Sequence, residues 1–145
     1  MDSLIYDRTS SDVESSLTNS KGSYNYTDLN RVEEWCEYLQ SILANYGYSE
    51  ELEIKTDWAM TDYITRTQMD RIRANIDSLK DFCEALSTET IEYDNTMNYK
   101  QANALEQILY DISQYIESEK DTVELSYNIG AVLITKEYVN ITAVS

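Results

Sequence analysis

The sequence predicts a mostly α-helical fold: a three-helix bundle with an N-terminal extended arm and a short C-terminal β-rich tail. Apolar residues recur at helical spacing in three separate segments. In addition, the phrase Asn-Tyr-x-x-(apolar)-Asn-x-(apolar)-Glu occurs twice, at residues 25–33 and 98–106. The repeat indicates that two helices begin with the same device and present the same face to one core. The predicted divisions are an arm over 1–23, a bundle over 24–120 and an assembly tail over 121–145.

The first helix is predicted to begin near Thr27 or Asp28, which are good N-cap residues, and to end at Gly47. Its polar face is expected to carry Glu33, Glu34 and Glu37. In the connection that follows, over 48–64, Trp58 is interpreted as a lid on the core. The apolar stripe of this helix comprises Leu29, Val32, Trp35, Cys36, Leu39, Ile42, Leu43 and Tyr46.

The second helix is predicted to begin at Thr65, because Thr65 and Gln68 have the spacing of a capping box. Its stripe comprises Met69, Ile72, Ile76, Leu79, Cys83 and Leu86. The third helix is predicted from about Asn98 to Glu117 or slightly beyond, with the stripe Ala102, Leu105, Ile108, Leu109, Ile112, Tyr115 and Ile116.

The repeated phrase has a structural interpretation. The asparagine or the next polar residue caps each helix, and Tyr26 and Tyr99 pack as hydrophobic staples against the following turn. The second asparagine of each copy, Asn30 or Asn103, is expected to bond to the backbone of a neighbouring connection.

The two flanks contain too little apolar surface to form cores of their own. The arm, rich in Ser, Thr and Asp, is expected to be flexible or to order on a neighbouring chain. The tail is rich in β-branched residues that alternate with polar ones, which is typical of short strands. An isolated hairpin is marginal in water, so the tail is expected to pack on the bundle or pair with another chain. The predicted interaction residues are Val123, Leu125, Tyr127, Val132, Ile134, Val139 and Ile141.

The net charge of −16 makes nucleic acid and anionic membrane poor partners. The chain contains no histidine, no glycine-rich phosphate loop and no calcium-loop pattern. We therefore expect no enzymatic activity, no cofactor and no metal. A glycosidase-type carboxylate pair stays open only because 27 acidic residues always offer some pair. Buried free thiols are favoured over a disulfide for Cys36 and Cys83.

Several phrases resemble a poorly characterised family of structural proteins from tailed bacteriophages and prophages of Gram-positive bacteria, associated with the tail, baseplate or fibres. The phrases are residues 24–33, then 55–58 followed by 68–72, and then 99–106. The resemblance covers about residues 23–118. It implies a virion location and assembly with other virion structural proteins as a homo- or hetero-oligomer. Family members tend to have proline where this chain has Ile64, and neither flank has a counterpart.

A second function class is a soluble acidic interaction module. Such a module would act as an inhibitor or nucleic-acid mimic that occupies a basic surface, and the net charge of −16 motivates it.

Overall fold

The computed structural model of the protein describes residues 1–15, 20–22, 24–84, 86–93 and 97–126, of which residues 20 and 120–126 are described as backbone only. The α-helices in these ranges are α1 (Ser10–Glu14), α2 (Tyr26–Leu43), α3 (Arg66–Phe82) and α4 (Tyr99–Ser126). Short 3-10 turns lie at Ser20–Gly22 and Ala44–Tyr46. No strand occurs within the described residues. The mostly helical prediction is confirmed, with the short α1 as an addition.

The long helices α2, α3 and α4 pack against one another around a single apolar core. The core follows the stripes read from the sequence, because residues three and four apart share one face of a helix. Trp58 also belongs to the core and is only 5% exposed, which confirms its interpretation as a lid. The core residues with no exposed surface are Val32, Cys36, Leu39, Ile76, Leu79, Ile108, Leu109 and Ile112.

The two copies of the repeated phrase start their helices in the same way. The Asn25 side chain accepts a hydrogen bond from Thr27 N (2.9 Å), and Asp28 Oδ2 accepts one from Asn25 N (2.8 Å). In the second copy, Asn98 Oδ1 accepts from Gln101 N (2.8 Å), while Gln101 Oε1 accepts from Asn98 N (3.0 Å). Both helices therefore begin with a reciprocal capping box built on asparagine. The start of α2 lies slightly earlier than predicted, because Asn25 rather than Thr27 or Asp28 is the N-cap.

Tyr26 and Tyr99 are the first residues of α2 and α4, one position after the cap rather than one before it. The position of a hydrophobic staple, which precedes the cap, is occupied by Tyr24 and Met97. Tyr24, Tyr26 and Met97 are all partly buried against the core. The start of α2 is therefore held on the core by aromatic residues on both sides of its cap, and the start of α4 by Met97 before its cap.

The second predicted helix begins where expected. Thr65 is the N-cap of α3 and its hydroxyl accepts a hydrogen bond from Gln68 N at 3.1 Å. The predicted capping box is only half formed, because the Gln68 side chain does not return to the cap but accepts from Arg71 Nε at 2.8 Å. Since Arg71 also binds Glu33, this bond ties the first turn of α3 to the surroundings of Glu33. At the end of the preceding α2 region, Gly47 has φ 108° and closes the 3-10 turn, as the sequence predicts.

The β-rich tail is not supported in the part that the structure describes. Helix α4 continues to Ser126, so Val123 and Leu125 lie in a helix rather than in a strand. The physical reason is that residues 118–126 contain neither glycine nor proline to end the helix, and adding a residue to an existing helix carries none of the cost of nucleation. Tyr127, Val132, Ile134, Val139 and Ile141 lie outside the described residues. None of the helices described, including the 28-residue α4, is long and apolar enough to cross a membrane.

Replacing either cap should weaken the fold by a similar amount. We expect Asn25→Ala and Asn98→Ala each to lower the free energy of unfolding by ~1 kcal/mol, because each leaves backbone N–H groups without a partner. Urea denaturation followed by circular dichroism measures this change. Asn25→Asp and Asn98→Asp are the matched controls and should lose much less, because aspartate also caps helices. Equal losses in alanine and aspartate variants would contradict the capping role.

Candidate functional site: two buried carboxylate clamps

The last residue of each repeat is a glutamate with no exposed surface: Glu33 on α2 and Glu106 on α4. The sequence places Glu33 on the polar face of its helix, and this prediction is wrong. A buried carboxylate is costly unless cations and hydrogen-bond donors surround it. The cations and hydrogen-bond donors that surround these two carboxylates therefore show which segments of the chain the two glutamates connect.

Glu106 is surrounded by donors from the arm and from α2. Its Oε1 accepts from Ile5 N and Arg31 Nε, both at 2.8 Å. Its Oε2 accepts from Arg8 Nη2 (2.8 Å) and Arg31 Nη2 (2.7 Å). Asp28 Oδ1 bonds to both guanidinium groups, so two positive and two negative charges balance in the buried cluster. Burial by itself lowers the pKa of Arg31, but the hydrogen bonds and charges of Glu106 and Asp28 outweigh it and raise the pKa above its ordinary value.

Glu33 is surrounded in the same manner by donors from the connection and from α3. Its Oε2 accepts from Lys55 N and Arg71 Nη1, and its Oε1 accepts from Trp58 Nε1 and Arg71 Nη2, all at 2.8 Å. The hydrogen bonds to Glu33 raise the pKa of Arg71. Each of the two glutamates thus receives four hydrogen bonds, two of them from a bidentate arginine of another helix.

The second asparagine of each repeat completes the arrangement by pairing with backbone. Asn30 Nδ2 donates to Trp58 O (3.0 Å) and its Oδ1 accepts from Trp58 N (2.8 Å). Asn103 Nδ2 donates to Arg8 O (2.9 Å) and its Oδ1 accepts from Arg8 N (3.0 Å). The predicted bonding of these asparagines to backbone is confirmed, although Asn103 meets the arm rather than a connection.

We call each Asn-Glu pair, with the extended segment it holds, a clamp. The α2 clamp is Asn30 and Glu33 with residues 55–58, and the α4 clamp is Asn103 and Glu106 with residues 5–8. In both clamps the glutamate accepts the first backbone N–H of the segment, and the asparagine pairs with the residue three positions later. The repeated phrase is therefore a recognition unit for an extended four-residue segment.

The α4 clamp overturns the expectation that the arm is flexible or orders on a neighbouring chain. Arg8 is only 4% exposed, and the arm meets α2 and α4 of its own chain through Arg8 and Ile5. Beyond Arg8, a capping box between Thr9 and Asp12 starts α1. The Cβ of any residue replacing Gly22 would come within 1.8 Å of Asp12 O, so Gly22 permits close packing against α1. Sequence reasoning missed this docking because an isolated arginine in a polar arm carries no periodic signal.

The hydrogen bonding of the two clamps favours a structural role for Glu33 and Glu106 over a catalytic one. A carboxylate offers about four lone-pair positions, and all four are engaged in both glutamates, so neither is placed to accept a proton from a substrate. Within the described residues, no group of three or more histidine, cysteine or acidic residues could hold a metal ion. Of the predicted caps and anchors, Trp58 bonds to Glu33 in the α2 clamp, and Thr65 and Gln68 form the first turn of α3, whose Arg71 binds the same glutamate. Val123 and Leu125 lie at the far end of α4.

Cys36 and Cys83 are free and buried, which confirms the interpretation made from their positions. Burial raises the pKa of Cys83 to about 11. Burial, followed by the charge of Glu33, raises the pKa of Cys36 still further. Neither thiol has the electropositive, accessible surroundings of a reactive cysteine.

No known protein family, curated protein or solved structure matches this chain. The resemblance to bacteriophage tail proteins therefore stays a prediction.

The two clamps should differ in their contribution to stability. We expect Glu106→Gln to cost ~3–5 kcal/mol, because it leaves two buried guanidinium groups with one carboxylate. Glu33→Gln should cost less, ~1.5–3 kcal/mol, because its single partner Arg71 is 14% exposed in its side chain. Urea denaturation measures both. Glu37→Gln, at an exposed site of α2, is the control and should change stability by less than ~0.5 kcal/mol. A larger loss for Glu33→Gln than for Glu106→Gln would contradict this ranking.

The two thiols should be inert while the protein is folded. At pH 8 a pKa of about 11 leaves roughly one Cys83 thiol in a thousand ionised, and only the thiolate reacts. We expect a disulfide reagent to modify Cys83 slowly and Cys36, which has no exposed surface, more slowly still. In denaturing urea both should react like ordinary cysteines. Rapid modification of both residues in the folded protein would contradict the burial.

Proposed function

We propose that the protein is a structural component of a bacteriophage virion, an adaptor associated with the tail, baseplate or fibres. The observation that carries the proposal is the pair of clamps. They use the buried carboxylates to hold the arm, the connection and the three long helices together, which is what a load-transmitting spacer requires. The resemblance of residues 24–33, 55–58, 68–72 and 99–106 to tail-associated proteins supports the same assignment.

In this proposal, the protein attaches to other virion proteins mainly through the end of α4 and the residues that follow it. The arm is already engaged by the α4 clamp, which leaves it little capacity to bind elsewhere. The predicted interaction residues begin in the last turns of α4 with Val123 and Leu125 and continue with Tyr127, Val132, Ile134, Val139 and Ile141. The partners in this proposal are other virion structural proteins, in a homo- or hetero-oligomer.

Deletion of residues 127–145 tests the proposal. The truncated chain should keep the circular dichroism of a helical bundle, because the core and both clamps lie before residue 127. It should fail to enter particles, which mass spectrometry of purified virions measures. The control replaces Met60 and Tyr63, 78% and 91% exposed, by serine, and this chain should assemble normally. Absence of the unaltered chain from purified virions would contradict the structural role, and normal incorporation of the truncated chain would contradict attachment through the tail.

The distribution of charge favours the acidic interaction module as a second candidate. Among the residues whose side chains the structure describes, the buried acidic residues are Asp28, Glu33 and Glu106, and the buried basic residues are Arg8, Arg31 and Arg73. Because these three positive and three negative charges cancel, the buried residues do not reduce the net charge of −16 that the rest of the chain carries. If the protein is an acidic interaction module, it should still bind a basic partner after deletion of residues 127–145. The affinity for that partner should fall steeply as the salt concentration rises.

A further inference from the structure

An open groove lies between the start of the connection after α2 and the C-terminal half of α3, with Tyr93 on its far side. Its volume is roughly 660 Å³. The floor is aromatic: Tyr48 and Phe82 meet edge to face with ring centroids 5.3 Å apart. The Tyr48 hydroxyl is hydrogen-bonded to Ser78 Oγ at 2.7 Å, which fixes its ring. Phe82 and Tyr93 are 37% and 45% exposed. Arg73 of the chain itself lies over the Tyr93 ring at 6.0 Å, so the surfaces open to an occupant are the ring of Phe82 and the remaining exposed part of Tyr93.

The wall of the groove is acidic. Glu50, Asp77, Asp81 and Glu84 line it, and none of its lining residues is a lysine or an arginine. Glu50, Asp81 and Glu84 are exposed, while Asp77 accepts a long hydrogen bond of 3.4 Å from the Tyr93 hydroxyl. An occupant must therefore offer apolar or planar surface to the rings and positive charge to the carboxylates.

Elsewhere in the chain, an aromatic ring next to a carboxylate is contacted by a basic side chain. Arg8 lies over the Tyr24 ring at 5.4 Å, beside Asp28. Lys55 lies over the Trp58 ring at 4.9 Å, beside Asp57. In both places a cation contacts an aromatic face and a carboxylate together, which adds a cation–π contact to an ion pair.

We propose that this groove binds an arginine-bearing segment of a partner protein. The guanidinium group is planar, stacks on aromatic faces and forms bidentate bonds with carboxylates, so it fits both the floor and the wall. The excess of acidic residues on the outer surface steers such a segment towards the protein. The proposal does not depend on a virion location, because it rests only on the described groove.

A short capped peptide of alternating glycine and arginine is the probe. Calorimetry at low salt should detect binding, and amide chemical-shift changes should cluster at Tyr48, Ser78, Phe82 and Tyr93. The same peptide with glutamine in place of arginine should not bind. The lysine peptide should bind more weakly, because an ammonium group cannot stack in the same way. Absence of binding, shift changes located elsewhere, or equal affinity for the lysine peptide would overturn the proposal.

Variants separate the groove from the general negative charge of the protein. The combined change Asp77→Asn, Asp81→Asn and Glu84→Gln should weaken binding of the arginine peptide roughly tenfold or more. The control Glu14→Gln, Glu34→Gln and Glu37→Gln removes the same number of charges outside the groove and should weaken it by less than about threefold. Equal losses in the two variants would show nonspecific attraction and overturn the proposal. Phe82→Leu keeps an apolar side chain but removes a ring, and it should reduce the preference for arginine over lysine.

Discussion

The carboxylate of Glu106 is the interaction on which the rest of the structure depends. It has no exposed surface, and it joins the arm, α2 and α4 through Ile5, Arg8 and Arg31. A buried charge of this kind tolerates few alternatives, because each donor that is lost leaves an unsatisfied group in a medium of low dielectric constant. The cluster therefore constrains where each segment lies, whereas the apolar core alone would accept small shifts of one helix against another.

Glu33 applies the same constraint between α2, α3 and the connection that contains Trp58. The two clamps form a chain of contacts, since α2 supplies Arg31 to the α4 clamp and is itself the base of the α2 clamp. One repeated phrase thus does two tasks. Its asparagine cap starts a helix, and its Asn-Glu pair secures an extended segment that has no periodic structure of its own. In this way, segments without regular structure are bound to the helices by hydrogen bonds.

The clamps also affect which charged residues remain on the surface of the protein. Because Arg8, Arg31 and Arg71 turn inward to bind buried carboxylates, the exposed surface of the described part of the chain carries many more acidic than basic residues. Such a surface repels phosphate and attracts basic protein segments. The two partly exposed rings of the groove, Phe82 and Tyr93, lie within this acidic exterior. A structural adaptor and a binder of basic partners are therefore compatible uses of one architecture.

The sequence by itself determined the three long helices, the face by which each packs on the shared core and the burial of Trp58, because periodicity is a local property of the chain. It left open whether the asparagine or the next polar residue caps each helix, and the structure shows that Asn25 and Asn98 are the caps. The sequence pattern placed Glu33 on the polar face of its helix, although this residue is buried. It also gave no indication that the arm docks on α2 and α4 of its own chain. It also predicted strand for residues that continue α4, since alternation over a few residues does not separate a strand from the end of a helix. Only the tertiary structure decided that Arg8 meets Glu106 and that Arg71 meets Glu33. Those pairings join residues 98 and 38 positions apart, and no spacing along the chain encodes which buried charge will find which partner.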